Sequence, residues 1–257
     1  MLDDSFAYAK EGVWKRWSRW LLLIVSMFIF PLILGYMVRI YRGEKPAPEP
    51  EKWLELFVDG LRLLLIQIIY LLPVILLVIL AFVPLISTLV TSGVVSQDFS
   101  SMSDSQLERW LDGHPGLITD LVVAGGFMII ILVAAIILAI IITLFSFLGV
   151  VRFARTRSIS EAFNFPAILT HIGRIGWANY ILALLVIGVI GFIFSTIVNF
   201  FSLIPVIGII IELIVMVILY VPFILFSARF SALVYDAGED TSPQLPDQAG
   251  EPAINRQ

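Results

Sequence analysis

The chain has no cysteine among its 257 residues. That excludes disulfide bonds, thiolate metal ligands and a cysteine nucleophile. Charge is also scarce: Asp, Glu, Lys and Arg make up 14% of the residues, and the formal net charge is -4. No basic face suggests nucleic-acid binding. There are two histidines, His114 and His171. Walker, Rossmann, His-x-Glu and Gly-x-Ser-x-Gly patterns are missing. The N-terminus, Met1-Leu2-Asp3-Asp4, lacks the basic start and cleavage site of a signal peptide, so the first helix is expected to stay in the mature chain. The sequence thus points away from an enzyme and implies no cofactor or metal.

What fills the chain instead is apolar. The hydrophobic fraction is 60% and the mean hydropathy is +1.00, against ~45–50% apolar residues in a soluble domain. The excess lies in long blocks. Residues 63–91, 121–148, 180–203 and 209–234 each exceed the ~20 apolar residues needed to cross a bilayer. An earlier block, 21–40, reaches that length but carries Pro31 at its middle, where the ring breaks the hydrogen-bond ladder. The expected fold class is all-α: a polytopic transmembrane helix bundle of four spans plus a Pro-broken first membrane helix, with amphipathic interfacial helices. Residues 1–235 form a single domain, and 236–257, rich in Pro, Gly, Asp and Gln, a disordered tail.

The polar connections carry their own signals. Trp14, Trp17 and Trp20 with Lys10, Lys15, Arg16 and Arg19 suit a helix at the headgroup level. Residues 51–62 place Trp53, Leu54, Phe57, Val58 and Leu61 on one helical face and charges opposite, an amphipathic helix on the membrane surface or against the bundle. Asp59 and Gly60 read as a local helix break. Ser103 and Gln106 resemble a capping box opening a short surface helix that Gly113 closes. Ser158 and Glu161 suggest a second box, starting a helix that Pro166 and Gly173 interrupt. Residues 204–208 make a tight turn between the last two spans.

Arginine and lysine stay on the cytoplasmic side of short loops. Loop 92–120 holds one arginine, Arg109, against five acidic residues and is expected outside. Segment 149–178 holds Arg152, Arg155, Arg157 and Arg174 against Glu161 and is expected inside, with the C-terminus, in the cytoplasmic membrane. His114 and His171 then fall on opposite sides and share no site. The basic N-terminus conflicts with this order if residues 21–40 cross once. Either the block re-enters as a hairpin broken at Pro31, or it is an ordinary kinked span; the kinked crossing is the favoured expectation.

Two stretches follow one plan: a membrane helix, Gly-aliphatic-Arg-x-x-Arg (Arg39 and Arg42; Arg152 and Arg155), a surface helix and a span. They suggest an internal repeat, 20–91 and 121–203. The run Gly35-Tyr36-Met37-Val38-Arg39-x-x-Arg42-Gly43-Glu44, followed by Leu56-Phe57-Val58-Asp59-Gly60, resembles the DUF4013 family, a group of uncharacterised, mainly archaeal, multi-pass membrane proteins. The turn at 204–208 and Arg229 fit the same pattern. The resemblance implies a membrane location and an archaeal source, and no mechanism.

Candidate functional residues are few. Glu212, one turn into the last span, and Asn199 before the turn form a possible intramembrane polar site, since a charged group in a membrane helix is costly. Arg39, Arg42, Arg152, Arg155 and Arg157 are anchors or contacts for an anionic lipid or ligand. Gly188, Gly191 and Ser195, like Gly125 and Gly126, read as close helix packing. The expected partners are the lipid bilayer, a second copy or another membrane protein. Two functions follow: a non-catalytic scaffold interacting with lipid or a partner, or a small-solute or ion transporter using Glu212.

Overall fold

A computed structural model of the chain describes residues 1–205 and 207–239. The expected tail lies outside these from residue 240 onward, and residues 236–239 belong to the last helix. Among the described residues the regular structure is helical: α1 (Leu2–Val13), α2 (Trp17–Phe28), α3 (Phe30–Tyr41), α4 (Trp53–Thr91), α5 (Asp104–Asp112), α6 (Leu117–Thr156), α7 (Phe165–Ile175), α8 (Trp177–Phe200) and α9 (Gly208–Glu239), with short 3₁₀ turns between some of them. Four helices, α4, α6, α8 with its following turn, and α9, are 39, 40, 27 and 32 residues long and apolar enough to cross a membrane. Pro73, Pro84 and Pro222 sit inside helices that continue through them. The apolar windows of the four helices are only 6% to 22% buried. Their surface is built for hydrocarbon, as the composition requires.

The chain divides into two compact units, Leu65–Ser146 and the remainder. In the smaller unit the capping box forms as expected: Ser103 N–H donates to Gln106 Oε1 at 2.8 Å, opening α5. Phe99 meets Trp110 edge to face, and Trp110 stacks on His114.

The larger unit holds most of the fully buried side chains, among them Tyr36, Leu56, Phe153, Ile172, Tyr180 and Leu225. Ile168, Ile172 and Ile175 line the buried face of α7. Burying such side chains contributes roughly 1.5–3 kcal/mol each. The start of α7 differs from expectation. Ser160–Phe163 forms a 3₁₀ turn, Asn164 Oδ1 caps α7 by accepting from Ala167 N–H, and Pro166 lies in the first turn, where its missing N–H costs nothing. Gly173 lies inside α7, and the chain breaks instead at Gly176, whose φ of 87° suits glycine.

The first apolar block does not cross. It forms two 12-residue helices, α2 and α3, broken at Ile29. Each is ~18 Å long at 1.5 Å per residue, short of a ~30 Å hydrocarbon core. Their outer ends meet on one residue. Arg16 and Arg19, at the start of α2, bind the Glu49 carboxylate, and Arg39, near the end of α3, donates to the Glu49 carbonyl oxygen at 3.2 Å. A continuous or gently kinked helix would hold residues 19 and 39 ~30 Å apart, beyond the reach of both side chains to one glutamate. The block is therefore a helical hairpin whose two ends meet, and the kinked crossing is corrected. Pro31 sits in the first turn of α3 and so begins a helix.

Asp59 and Gly60 do not break a helix either. The amphipathic stretch is the first three turns of α4, and α4 runs on unbroken. A Cβ at Gly60 would overlap the Pro31 carbonyl oxygen, and one at Gly35 would overlap the Leu56 carbonyl. The two glycines let α3 and α4 cross backbone to backbone.

Candidate functional site

The polar residues of the larger unit gather where α3 and α6 end. Arg42, just past the end of α3, donates through Nε to the carbonyl oxygen of Ala154 at 3.2 Å. Arg155, near the end of α6, donates through Nε to the carbonyl oxygen of Tyr41 at 2.7 Å. Each arginine thus bonds the residue preceding the other. The last carbonyls of a helix have no partner within it, and a cation there also meets the negative end of the helix dipole. The pair caps two helices reciprocally.

The remaining guanidinium groups reach carboxylates. Arg42 binds Asp59 at 2.6 Å, and Arg155 binds Asp236 while its guanidinium lies over the Tyr235 ring. Gly43, at φ 87°, lies against the Arg155 guanidinium. Arg152 grips Glu161 through Nε at 2.7 Å. Arg152 first, then Asn164, hold the Glu161 carboxyl below the usual carboxylate range. Glu161 is thus part of an ion pair and does not close the expected capping box. His171 is buried, stacks on Tyr235 and donates from Nε2 to the Tyr235 carbonyl oxygen at 2.8 Å. Burial pushes its pKa below 6.5 and keeps it neutral near pH 7.

Two further pairs extend the network. Arg229 Nε donates to Asp4 at 2.9 Å, and Lys45 binds the same carboxylate at 2.7 Å. These two cations, Lys45 foremost, hold the Asp4 carboxyl below its usual range. Arg19, itself buried, likewise lowers Glu49.

Of the arginines expected to face an anionic lipid or ligand, Arg42, Arg152 and Arg155 spend their guanidinium groups on this network. Arg39 donates to the carbonyls of Glu49 and Glu51. Arg157 is exposed at the end of α6. The structure does not join Glu212 to Asn199. Asn199 Nδ2 donates back to the Ser195 carbonyl at 2.7 Å, and among the described residues no hydrogen bond links it to Glu212, which is half-buried in the first turns of α9. Gly125, Gly126 and Gly188 face open space, whereas Gly191 has Phe223 at van der Waals distance. The expected close packing is therefore corrected at the first three. Sequence reasoning missed Asp4, Glu49 and Asp236 as partners. Their signal was a surplus of arginine and carboxylate in a chain otherwise short of charge.

Long apolar helices that expose their sides, and a polar network at helix ends, define an integral membrane protein of multi-helix type. The family described as "Protein of unknown function (DUF4013)" matches residues 20–203. The chain belongs to that family. No curated protein and no solved structure matches it.

Proposed function

We propose that the protein is a non-catalytic scaffold of the cytoplasmic membrane, interacting with lipid and a partner protein. The observation that carries this reading is the reciprocal arginine pair. Transport by alternating access needs one part of the structure to rock against another. Here the ends of α3 and α6 are tied by two charge-assisted hydrogen bonds, each backed by an ion pair. Hydrogen bonds to charged groups contribute ~1.5–3 kcal/mol each, so opening this joint is costly and a fixed platform is favoured.

The same reading sets sidedness. The hairpin keeps α1 on the side where α9 ends, joined by Asp4 and Arg229. Four crossings return the chain to the side it started from. The basic N-terminal segment and 149–178 then both lie in the cytoplasm and loop 92–120 outside, which removes the conflict with the distribution of positive charge.

Full-length protein purified in mild detergent is expected to bring with it a membrane lipid and a second membrane protein. Reconstituted vesicles test the transporter reading: Glu212→Gln is expected to leave folding and permeability unchanged. An ion or solute flux present in the wild type and abolished in that variant would overturn the scaffold.

A further inference from the structure

Beneath α1 lies a groove of about 440 Å³, within the larger unit. Its walls come from one face of α1 with Val13, from α8 with Ile193 and Phe194, and from α9 with Leu219 and Phe223. The volume falls in the ~300–1,000 Å³ range of small-molecule sites. The lining is almost wholly apolar, so water inside would find no hydrogen-bond partners. Two walls are membrane-spanning helices, and what surrounds them is hydrocarbon.

Lys10, on α1, and Trp14, the residue that follows it, line the same groove and are exposed. Lys10 is exposed, and its ammonium makes no ion pair among the described residues. The basic groups close by are occupied differently: Lys45 and Arg229 hold Asp4, and Arg16 and Arg19 hold Glu49. Trp14 is 66% exposed, and an indole settles at the headgroup level with its N–H wet. An apolar slot within spanning helices, with an unpaired cation and an interfacial tryptophan in its lining, matches one kind of occupant: a hydrocarbon chain bearing an anionic head.

Resting on the lipid half of the scaffold reading, we infer that this groove is a binding site for an anionic membrane phospholipid, one chain between α8 and α9 under the α1 roof and the phosphate beside Lys10. Anionic headgroups draw a nearby lysine strongly enough that removing it costs about fivefold in affinity.

The test uses full-length protein equilibrated with vesicles of equal dioleoyl-phosphatidylglycerol and dioleoyl-phosphatidylcholine, then extracted in mild detergent, with retained lipid read by native mass spectrometry. The wild type is expected to keep phosphatidylglycerol selectively. Ile193→Trp fills the slot from an exposed position and is expected to lose the retained lipid. Lys10→Gln, on the exposed side of α1, is expected to lower the preference about fivefold with unchanged thermal stability. Equal retention of both lipids by the wild type, or an Ile193→Trp protein that keeps its phosphatidylglycerol, would overturn the site. So would cross-linking that places a second copy of the chain in the groove. If the wild type retains both lipids equally while the partner protein still co-purifies with it, the lipid site fails and the scaffold stands.

Discussion

Asp4 and Arg229 stand 225 positions apart in the chain and meet at 2.9 Å. That contact ties the first helix to the last. Arg229 is buried, whereas Asp4 is 40% exposed. Asp4→Asn therefore removes the partner of a buried cation and is expected to loosen α1. Hydrogen exchange over residues 2–13 should rise, with a global loss of ~1 kcal/mol. Unchanged exchange in α1 would show that its apolar contacts, Phe6 on Phe226 and Gly12 against Leu225, hold it without the pair.

Acid should weaken the fold in two stages. Neutral His171 has a folded pKa below its ordinary 6.5, so the unfolded chain binds the extra proton first. Its contribution is complete above pH ~6.5 and fades as pH falls below that. Asp4, Glu49 and Glu161 are held below ordinary values of 3.8, 4.5 and 4.5. Their contribution is present above those values and is lost as pH falls through the lowered ones. Melting temperature in detergent, followed from pH 7.5 to 3, is expected to drop below pH 6.5 and again below ~4.5. His171→Phe should abolish the first drop and keep the second.

The reciprocal pair makes a prediction about geometry as well as charge. Lysine keeps the charge and loses the planar fork that serves a carbonyl and a carboxylate together. Arg42→Lys and Arg155→Lys are each expected to destabilise by ~1.5–3 kcal/mol. Their double-mutant cycle should show a coupling of ~0.5–3 kcal/mol, because both act on one joint. Strict additivity would mean the two ends are held independently.

Glycines separate by what surrounds them. Gly35→Ala and Gly60→Ala force a methyl into the facing backbone and should cost ~1–3 kcal/mol or more. Gly125→Ala and Gly126→Ala have open space around the new methyl. They should stabilise the helix by ~0.5–1 kcal/mol, since alanine loses less backbone freedom. Thermal unfolding of the four variants checks the sign at each site.

The contrast shows what the sequence could and could not reveal. Span existence was legible because it depends on length and polarity alone, and α5 because its box is local. The glycine pattern misled because spacing along α6 and α8 says nothing about which neighbour faces it. The contacts that matter at Gly35 and Gly60 are with segments 21 and 29 positions away, Leu56 and Pro31. Likewise the apolar run 21–40 satisfies the length of a span, and only Glu49, outside the run, reveals that its ends meet. The conflict over the basic N-terminus and the mid-block Pro31 were the readable signs of the hairpin. The arginine motifs were visible, but their use in capping each other's helices is a tertiary fact.

Because the chain has no cysteine of its own, sidedness can be read one introduced thiol at a time. Lys15→Cys, Ser103→Cys and Arg157→Cys are placed singly and probed in intact cells with a membrane-impermeant maleimide, then again after permeabilisation. The hairpin predicts that residues 15 and 157 react only after permeabilisation, while residue 103 reacts at once. Labelling of Lys15→Cys from outside intact cells, with Arg157→Cys still protected, would contradict it.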